Sequence, residues 1–227
     1  MAGVVIPLFP LDHVLMPGIG LPLRIFEPRY RELLADVTGE GGDRRFGVVS
    51  VIEGSEVGNV ALVGDAPSTA TVGTIAEILE VEPFTDGTSA VLTVGSSRFV
   101  VEEEADLGKP YLMARVRMLD EPIGVVPPGL AESARASAMA YNQLIARLTR
   151  REAEIEPYPR DPVSLSYRLA NDAPLPRADR QRLLEIESAD ERLRSLARIL
   201  GRELILLRET RSIAVSPAVL REVLGLN

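Results

Sequence analysis

The chain contains no cysteine and no tryptophan, and only one histidine, His13, and one lysine, Lys109, among its 227 residues. The absence of cysteine excludes disulfides, thiolate zinc sites, iron–sulfur clusters and a cysteine nucleophile. A catalytic triad or metal site built on His13 would need every other member from a distant part of the chain. A single lysine leaves no partner for a lysine dyad. We therefore expect a binding protein rather than an enzyme, with no catalytic residues, no cofactor and no metal ion.

Long apolar runs are missing as well. No stretch reaches the roughly 18 uninterrupted apolar residues that a membrane span needs. The first ten residues are apolar, but they include no basic residue, and Pro7 and Pro10 interrupt them before the core of a signal peptide could form. The formal net charge is −8, so the overall field repels phosphate backbones. These observations predict a soluble, cytoplasmic protein that binds neither membranes nor DNA.

The first half of the chain is rich in Val, Ile, Leu and Thr and is punctuated by Pro and Gly. Short strands are predicted at 4–9, 21–26, 46–52, 98–101 and 112–118, and one short helix near Pro28. A hairpin is predicted where the runs 75–81 and 90–94 flank Asp86-Gly87. Six or more short strands with a single helix, and no alternation of strand and helix, predict a closed or nearly closed antiparallel barrel.

The residues after 126 follow the helical period instead. Apolar side chains define one face over 130–151 and another from 189 to about 211, with shorter helices predicted at 162–169, 177–186 and 216–225. The predicted fold class is therefore α+β. Residues 1–126 are expected to form a barrel domain with one short helix, and residues 127–227 a domain made of a helical bundle.

Motifs of common catalytic and cofactor sites are not found. The sequence has no phosphate-binding loop, no G-x-G-x-x-G fingerprint and no G-x-S-x-G nucleophile elbow. The acidic run 102–104 lacks the spacing of a calcium loop and is interpreted as a solvated strand end. Arginines cluster at 147, 150 and 151 and at 192, 194, 198 and 202, on predicted helix faces that also carry Glu, and they are interpreted as solvated pairing residues rather than an anion site.

Three segments resemble the amino-terminal substrate-recognition domain of Lon proteases, which also occurs as a free-standing protein in many bacteria. The segments are Ile6–Leu11 with Pro17, Pro22-Leu23 and Phe26–Tyr30; Val72–Ala76 with Asp86–Thr88 and Gly95–Phe99; and Leu183–Ile186 through Glu191–Leu193. Their order extends over most of the chain. The resemblance implies a PUA-like β-barrel followed by a helical bundle. It also implies binding of polypeptides without degradation, because these residues contain no ATPase motif and no Ser–Lys protease domain.

The leading hypothesis is a non-catalytic module that binds unfolded or extended polypeptide segments or a protein partner, as an adaptor or regulator of proteolysis. Its binding surface is expected where the proline-rich strand and the segment 26–30 meet the helices. The expected contributors are Arg24, Glu27, Arg29 and Tyr30, which are polar-tipped groups beside apolar ones, together with the apolar Phe26. The alternative is an RNA- or nucleotide-binding PUA-like protein, which a coherent basic face would favour. A hydrolase with dispersed carboxylates is a third reading, and it requires a pocket carboxyl group with a strongly raised pKa.

Overall fold

The computed structural model describes residues 3–52, 69–149, 157–173 and 175–210. The described residues form six strands, namely β1 (Val4–Leu11), β2 (Gly20–Ile25), β3 (Arg45–Ser50), β4 (Val72–Pro83), β5 (Ser89–Glu104) and β6 (Met113–Met118). They also form five helices, namely α1 (Pro28–Thr38), α2 (Leu130–Thr149), α3 (Pro162–Asp172), α4 (Arg177–Glu185) and α5 (Ala189–Thr210). The α+β class is confirmed, and the helix predicted at 216–225 lies outside the described residues.

The chain divides into two compact units, residues 1–120 and 121–227. All described strands and α1 belong to the first unit, and α2 to α5 belong to the second. Composition placed the division after residue 126. The segment before that point hydrogen-bonds to the start of α5, because the Pro122 and Ile123 carbonyls accept from the N–H groups of Ala189 and Asp190. The independent folding of each unit as a domain stays a prediction.

The strands form one sheet in the order β2-β5-β4-β3-β1-β6, and β5 also pairs with β6. This extra pairing closes β1, β3, β4, β5 and β6 into a ring, and β2 lies beside β5. The ring can close because β5 is 16 residues long, so that its first part pairs with β2 and its last part with β6. The two strands predicted at 90–94 and 98–101 are therefore one continuous strand.

One pairing differs from the antiparallel prediction. Strands β1 and β3 are parallel, with Leu8 opposite Gly47 and Leu11 opposite Ser50. A parallel pair needs a long crossover between its strands, and here β2 and α1 supply it. The prediction of a purely antiparallel arrangement was wrong for this pair, because local alternation does not reveal which strands become neighbours.

The predicted hairpin is confirmed, with its turn at Asp86-Gly87 between β4 and β5. Gly87 has φ 78°, which only glycine adopts without steric cost. The Asp86 carboxylate accepts hydrogen bonds from the Thr88 backbone N–H at 2.9 Å and the Thr88 hydroxyl at 2.7 Å. These bonds, the backbone one first, lower the pKa of Asp86. The turn is therefore held by its own side chains.

Helix α1 packs its apolar face onto the core of the first unit. Its buried residues are Tyr30, Leu33, Leu34 and Val37, as the helical spacing predicts. On its exposed side Asp36 accepts hydrogen bonds from Lys109 Nζ at 2.7 Å and from the Tyr111 hydroxyl. The bond from Lys109 is the largest of the causes that lower the pKa of Asp36, and the bond from Tyr111 comes next. These contacts join α1 to the loop between β5 and β6.

We expect Asp36→Asn to lower the free energy of unfolding at neutral pH, and the difference from the wild type to disappear in acid. A carboxyl group whose pKa is lower in the folded state stabilises the fold above its unfolded pKa, and this stabilisation is lost as pH falls through the folded pKa. Urea unfolding between about pH 7 and pH 2 measures the effect. Glu40→Gln, at an exposed glutamate without an ion pair among the described residues, is the control and should change stability little at any pH.

In the second unit α2 and α5 bury the faces that their spacing predicts. Helix α2 buries Ala134, Ala138, Tyr141 and Ile145, and α5 buries Leu193, Leu196, Leu200 and Leu204. The reading of Arg192 as a solvated residue was wrong, because its side chain is 0% exposed. Arg194, Arg198 and Arg202 are exposed as expected.

Candidate functional site

Arg24 lies near the end of β2 and reaches the tip of the β4–β5 hairpin. Its guanidinium group is 3.2 Å from the Thr88 hydroxyl and 3.5 Å from the Asp86 carboxylate. The same group lies 5.0 Å from the centroid of the Phe84 ring, within the range of a cation–π contact. Arg24 thus joins the hairpin to β2, and its own charge is matched by Asp86.

The predicted residues of the segment 26–30 divide into two environments. Glu27 precedes α1 and pairs with Arg29 at 2.8 Å, and the Arg29 guanidinium carbon lies 4.5 Å from the Tyr30 ring centroid. The Tyr30 ring lies 4.1 Å from Phe9 and is 7% exposed. Burial raises the pKa of Tyr30, with Arg29 opposing the shift and Glu27 adding to it. Phe26, in contrast, is 62% exposed and offers an apolar ring to solvent.

A second surface lies on β2, β5 and β4 and includes Arg24. Residues directly opposite each other on paired strands point to the same side of a sheet. The register places Pro22, Leu92 and Glu80 in one row across the three strands. The flanking rows continue the same side of the sheet. We define the outer face as these three rows: Gly20, Val94 and Glu77; Pro22, Leu92 and Glu80; Arg24, Ala90 and Glu82.

The outer face has an apolar middle column on β5 and a column of glutamates on β4. The opposite side of the same strands packs into the core, where Val91 is 2% exposed. Leu92, at the centre of the outer face, is 42% exposed. Leu79 is 57% exposed beside the face, at a β-bulge between Ile78 and Glu80. Leu92 and Leu79 are thus the exposed apolar side chains of this region, while Ala90 and Val94 are half-buried.

The open edge of β2 is poorly suited to pairing with a further strand. Among the described residues, β2 pairs with β5 alone. The Gly95 N–H donates to the Ile19 carbonyl, so in the alternating antiparallel pattern Leu21 turns its backbone groups toward β5 and Pro22 toward the edge. Proline has no N–H to offer there, which is how natural sheets protect an edge. The outer face can therefore contact a polypeptide through its side chains rather than by extending the sheet.

Sequence reasoning selected Arg24 and Phe26 but missed Leu79, Phe84 and Leu92. The signal for Leu92 was present, because it alternates with the inward-facing Val91 and Thr93 in β5. Leu79 could not be found in this way, since the bulge puts it and Glu80 on the same side of the sheet.

Metal and acid–base chemistry find no support in the described residues. Over 3–52, 69–149, 157–173 and 175–210, no group of three or more His, Asp or Glu side chains is placed to hold a metal ion. In these ranges the shifted carboxyl groups are Asp36, Asp86 and Asp190, and each has a lowered pKa. The hypothesis of a hydrolase with dispersed carboxylates required a raised one. No helix in the described part of the chain is both long enough and apolar enough to cross a membrane.

The ATP-dependent protease La (LON) substrate-binding domain family matches residues 5–202. The chain belongs to this family. Among curated relatives of this LON domain, the Lon protease of Cytophaga hutchinsonii is 24% identical over 92% of this chain and 25% of its own length. Lon protease 2 of Sorangium cellulosum is 28% identical over 92% of this chain and 26% of its own length. The chain thus spans about a quarter of these curated relatives and matches their amino-terminal part, so their catalytic domains lie outside the match.

Solved structures give the same fold. The Lon N-terminal domain protein from Xanthomonas campestris superposes with a TM-score of 0.59 at 25% identity, over 85% of this chain and 96% of that one. The N-terminal domain of the Mycobacterium avium complex Lon protease superposes with a TM-score of 0.56 at 18% identity, over 87% of this chain and 98% of that one. The predicted family is confirmed.

Proposed function

We propose that this LON substrate-binding domain binds unfolded or extended segments of other proteins without cutting them, and that it serves as an adaptor or regulator of proteolysis. The observation that carries the proposal is the apolar column of the outer face, with Leu92 42% exposed at its centre, in a chain of the substrate-binding family. In this proposal the chain recognises a polypeptide and carries out no catalytic step.

The size of the outer face fits a short extended polypeptide. Three strands about 4.8 Å apart, with rows about 6.7 Å apart, give a surface roughly 10 Å wide and 13 Å long. An extended segment along β5 would place alternate side chains against Leu92 and its neighbours in the middle column. Arg24, Phe26 and Phe84 would border one end of this surface. Glu27, Arg29 and Tyr30 would support the border through their stack on the core.

The finer fold and location assignments belong to the same proposal. We infer that the ring of β1, β3, β4, β5 and β6 is the PUA-like barrel implied by the family resemblance, with β2 attached to β5. The helices α2 to α5 would then form the helical bundle, and the protein would act in the cytoplasm. The RNA alternative is not favoured, because the outer face carries three glutamates and the chain has a net charge of −8.

We expect the double substitution Leu79→Ser and Leu92→Ser to weaken binding of an unfolded polypeptide at least tenfold. Burying a leucine side chain completely contributes about 1.5–3 kcal/mol, and about 1.4 kcal/mol corresponds to a factor of ten in the dissociation constant. Fluorescence anisotropy with a labelled peptide rich in Leu, Phe and Lys measures the change. Both leucines are exposed, so the circular dichroism spectrum should stay that of the wild type.

Leu107→Ser is the matched control for that experiment. Leu107 is 61% exposed in the loop between β5 and β6, outside the outer face. Its replacement should leave the affinity unchanged. Equal peptide binding by the wild type and the Leu79/Leu92 double variant would contradict the assignment of the site.

A further inference from the structure

We propose that the outer face selects polypeptide segments in which Lys or Arg residues lie next to apolar ones. This inference rests on the proposed function and adds the class of substrate. It follows from the charges that the register places around the apolar column.

Each row of the outer face ends on β4 with a glutamate. Glu77, Glu80 and Glu82 are all exposed, and within the described part of the chain none of them forms an ion pair or a side-chain hydrogen bond. The remaining charged residue of the face is Arg24, which already lies 3.5 Å from the Asp86 carboxylate. Arg45 of β3 lies opposite Glu77 in the register, but its guanidinium group pairs with Asp43 at 2.5 Å. A polypeptide on this face therefore meets three carboxylates that form no ion pair among the described residues.

The spacing of these charges matches an extended chain. Successive rows advance by two residues of β5, which is about 6.7 Å along the strand, and side chains on one side of an extended polypeptide repeat at the same distance. The glutamates lie one strand away from the apolar column, or about 4.8 Å. Lys and Arg side chains can cover apolar surface with their stems while their charged ends reach such a neighbouring strand.

The expected selectivity is moderate because every partner is exposed. Exposed ion pairs contribute little individually, but three of them together should favour a Lys-bearing segment about tenfold over a neutral one at low salt. A Glu-bearing segment would meet uncompensated repulsion and should bind more weakly still. Both differences should shrink as salt screens the charges.

Three labelled peptides that share their apolar residues and carry Lys, Ser or Glu between them test this inference. The full chain should bind them in the order Lys, Ser, Glu. The triple variant Glu77→Gln, Glu80→Gln and Glu82→Gln should bind all three within about twofold of one another, by the same ion-pair argument. The control variant Glu40→Gln, Glu104→Gln and Glu132→Gln removes the same charge at exposed glutamates outside the face and should keep the preference.

The outcomes separate this inference from the proposed function. If the wild type binds all three peptides equally, or if the triple variant keeps the preference, the inference is overturned. In that case a loss of binding in the Leu79/Leu92 double variant would still support the proposed function. Failure to bind any of the peptides overturns both. Light scattering tests one more outcome. If no peptide binds, and the wild type forms a dimer that the triple variant does not form, the occupant of the outer face is a second copy of the chain.

Discussion

Replacing Arg192 with methionine should lower the free energy of unfolding by about 3 kcal/mol. The side chain of Arg192 is 0% exposed, and its guanidinium group contacts α3, α4 and the segment before α2. It donates hydrogen bonds to the Ser166 hydroxyl at 2.7 Å and to the carbonyls of Leu183 and Ile186 at 3.1 and 2.9 Å. Methionine fills a similar volume but offers no donor, so each of these acceptors loses one hydrogen bond.

The positive charge of Arg192 is itself in contact with an aromatic ring and a carboxylate. The guanidinium carbon lies 3.9 Å from the Tyr167 ring centroid, and one nitrogen lies 3.9 Å from the Glu121 carboxylate. The Tyr167 hydroxyl donates to the same carboxylate. Removing the positive charge leaves Glu121 with a partly buried negative charge and one partner fewer, which costs more than losing an exposed pair.

Urea unfolding followed by far-UV circular dichroism measures this loss, since four of the five described helices lie in the second unit. Arg192→Lys should recover part of the stability, because an ammonium group keeps the charge but lacks the planar set of five donors. Arg198→Met, on the exposed side of the same helix, is the control and should stay within about 0.5 kcal/mol of the wild type. A loss no larger for Arg192→Met than for Arg198→Met would refute the structural role.

Arg192 also shows where sequence reasoning stops. Periodicity identified the buried leucines of α5, because a single helix face has to supply them. An arginine flanking that face is interpreted as solvated on composition alone, since arginine is rarely buried. The burial of Arg192 depends on hydrogen-bond acceptors from α3 and from the end of α4, and the sequence pattern of α5 alone does not indicate them.

In the first unit, too, the features that depend on residues close in sequence were predicted, and those that depend on distant residues were not. Turn chemistry at Asp86-Gly87 predicted the β4–β5 hairpin, and helical spacing predicted the buried side of α1, because both depend on residues that are close in sequence. The parallel pairing of β1 with β3 and the bulge beside Leu79 depend on which strands meet. The outer face was missed for that reason, since its three columns come from separate strands. Arg24 was selected as a polar-tipped residue, and its contact with Asp86 is again a matter of strand pairing.

The second large effect is expected from Gly124→Ala, which should lower the free energy of unfolding by about 2–4 kcal/mol. Gly124 has φ 72°, and a Cβ atom added to it would overlap Asp190 Oδ1. Asp190 cannot move away freely, because it is 5% exposed and accepts hydrogen bonds from the Ser188 hydroxyl at 2.6 Å and from Arg194 at 2.7 Å. These bonds, that of Ser188 first, hold the pKa of Asp190 below its usual range.

Gly129→Ala separates the steric contact from the backbone conformation. Gly129 has φ 82°, but no atom lies within 4 Å of a Cβ added there. Replacing Gly129 with alanine should therefore lower the free energy of unfolding only through the unfavourable positive φ, by about 1 kcal/mol. The additional loss of unfolding free energy in Gly124→Ala then measures the contact with Asp190. Adding Asp190→Ala to that variant should restore part of this additional loss, because the two residues are coupled neighbours. Equal losses for the two glycine variants would mean that the segment before α2 is not held against the start of α5.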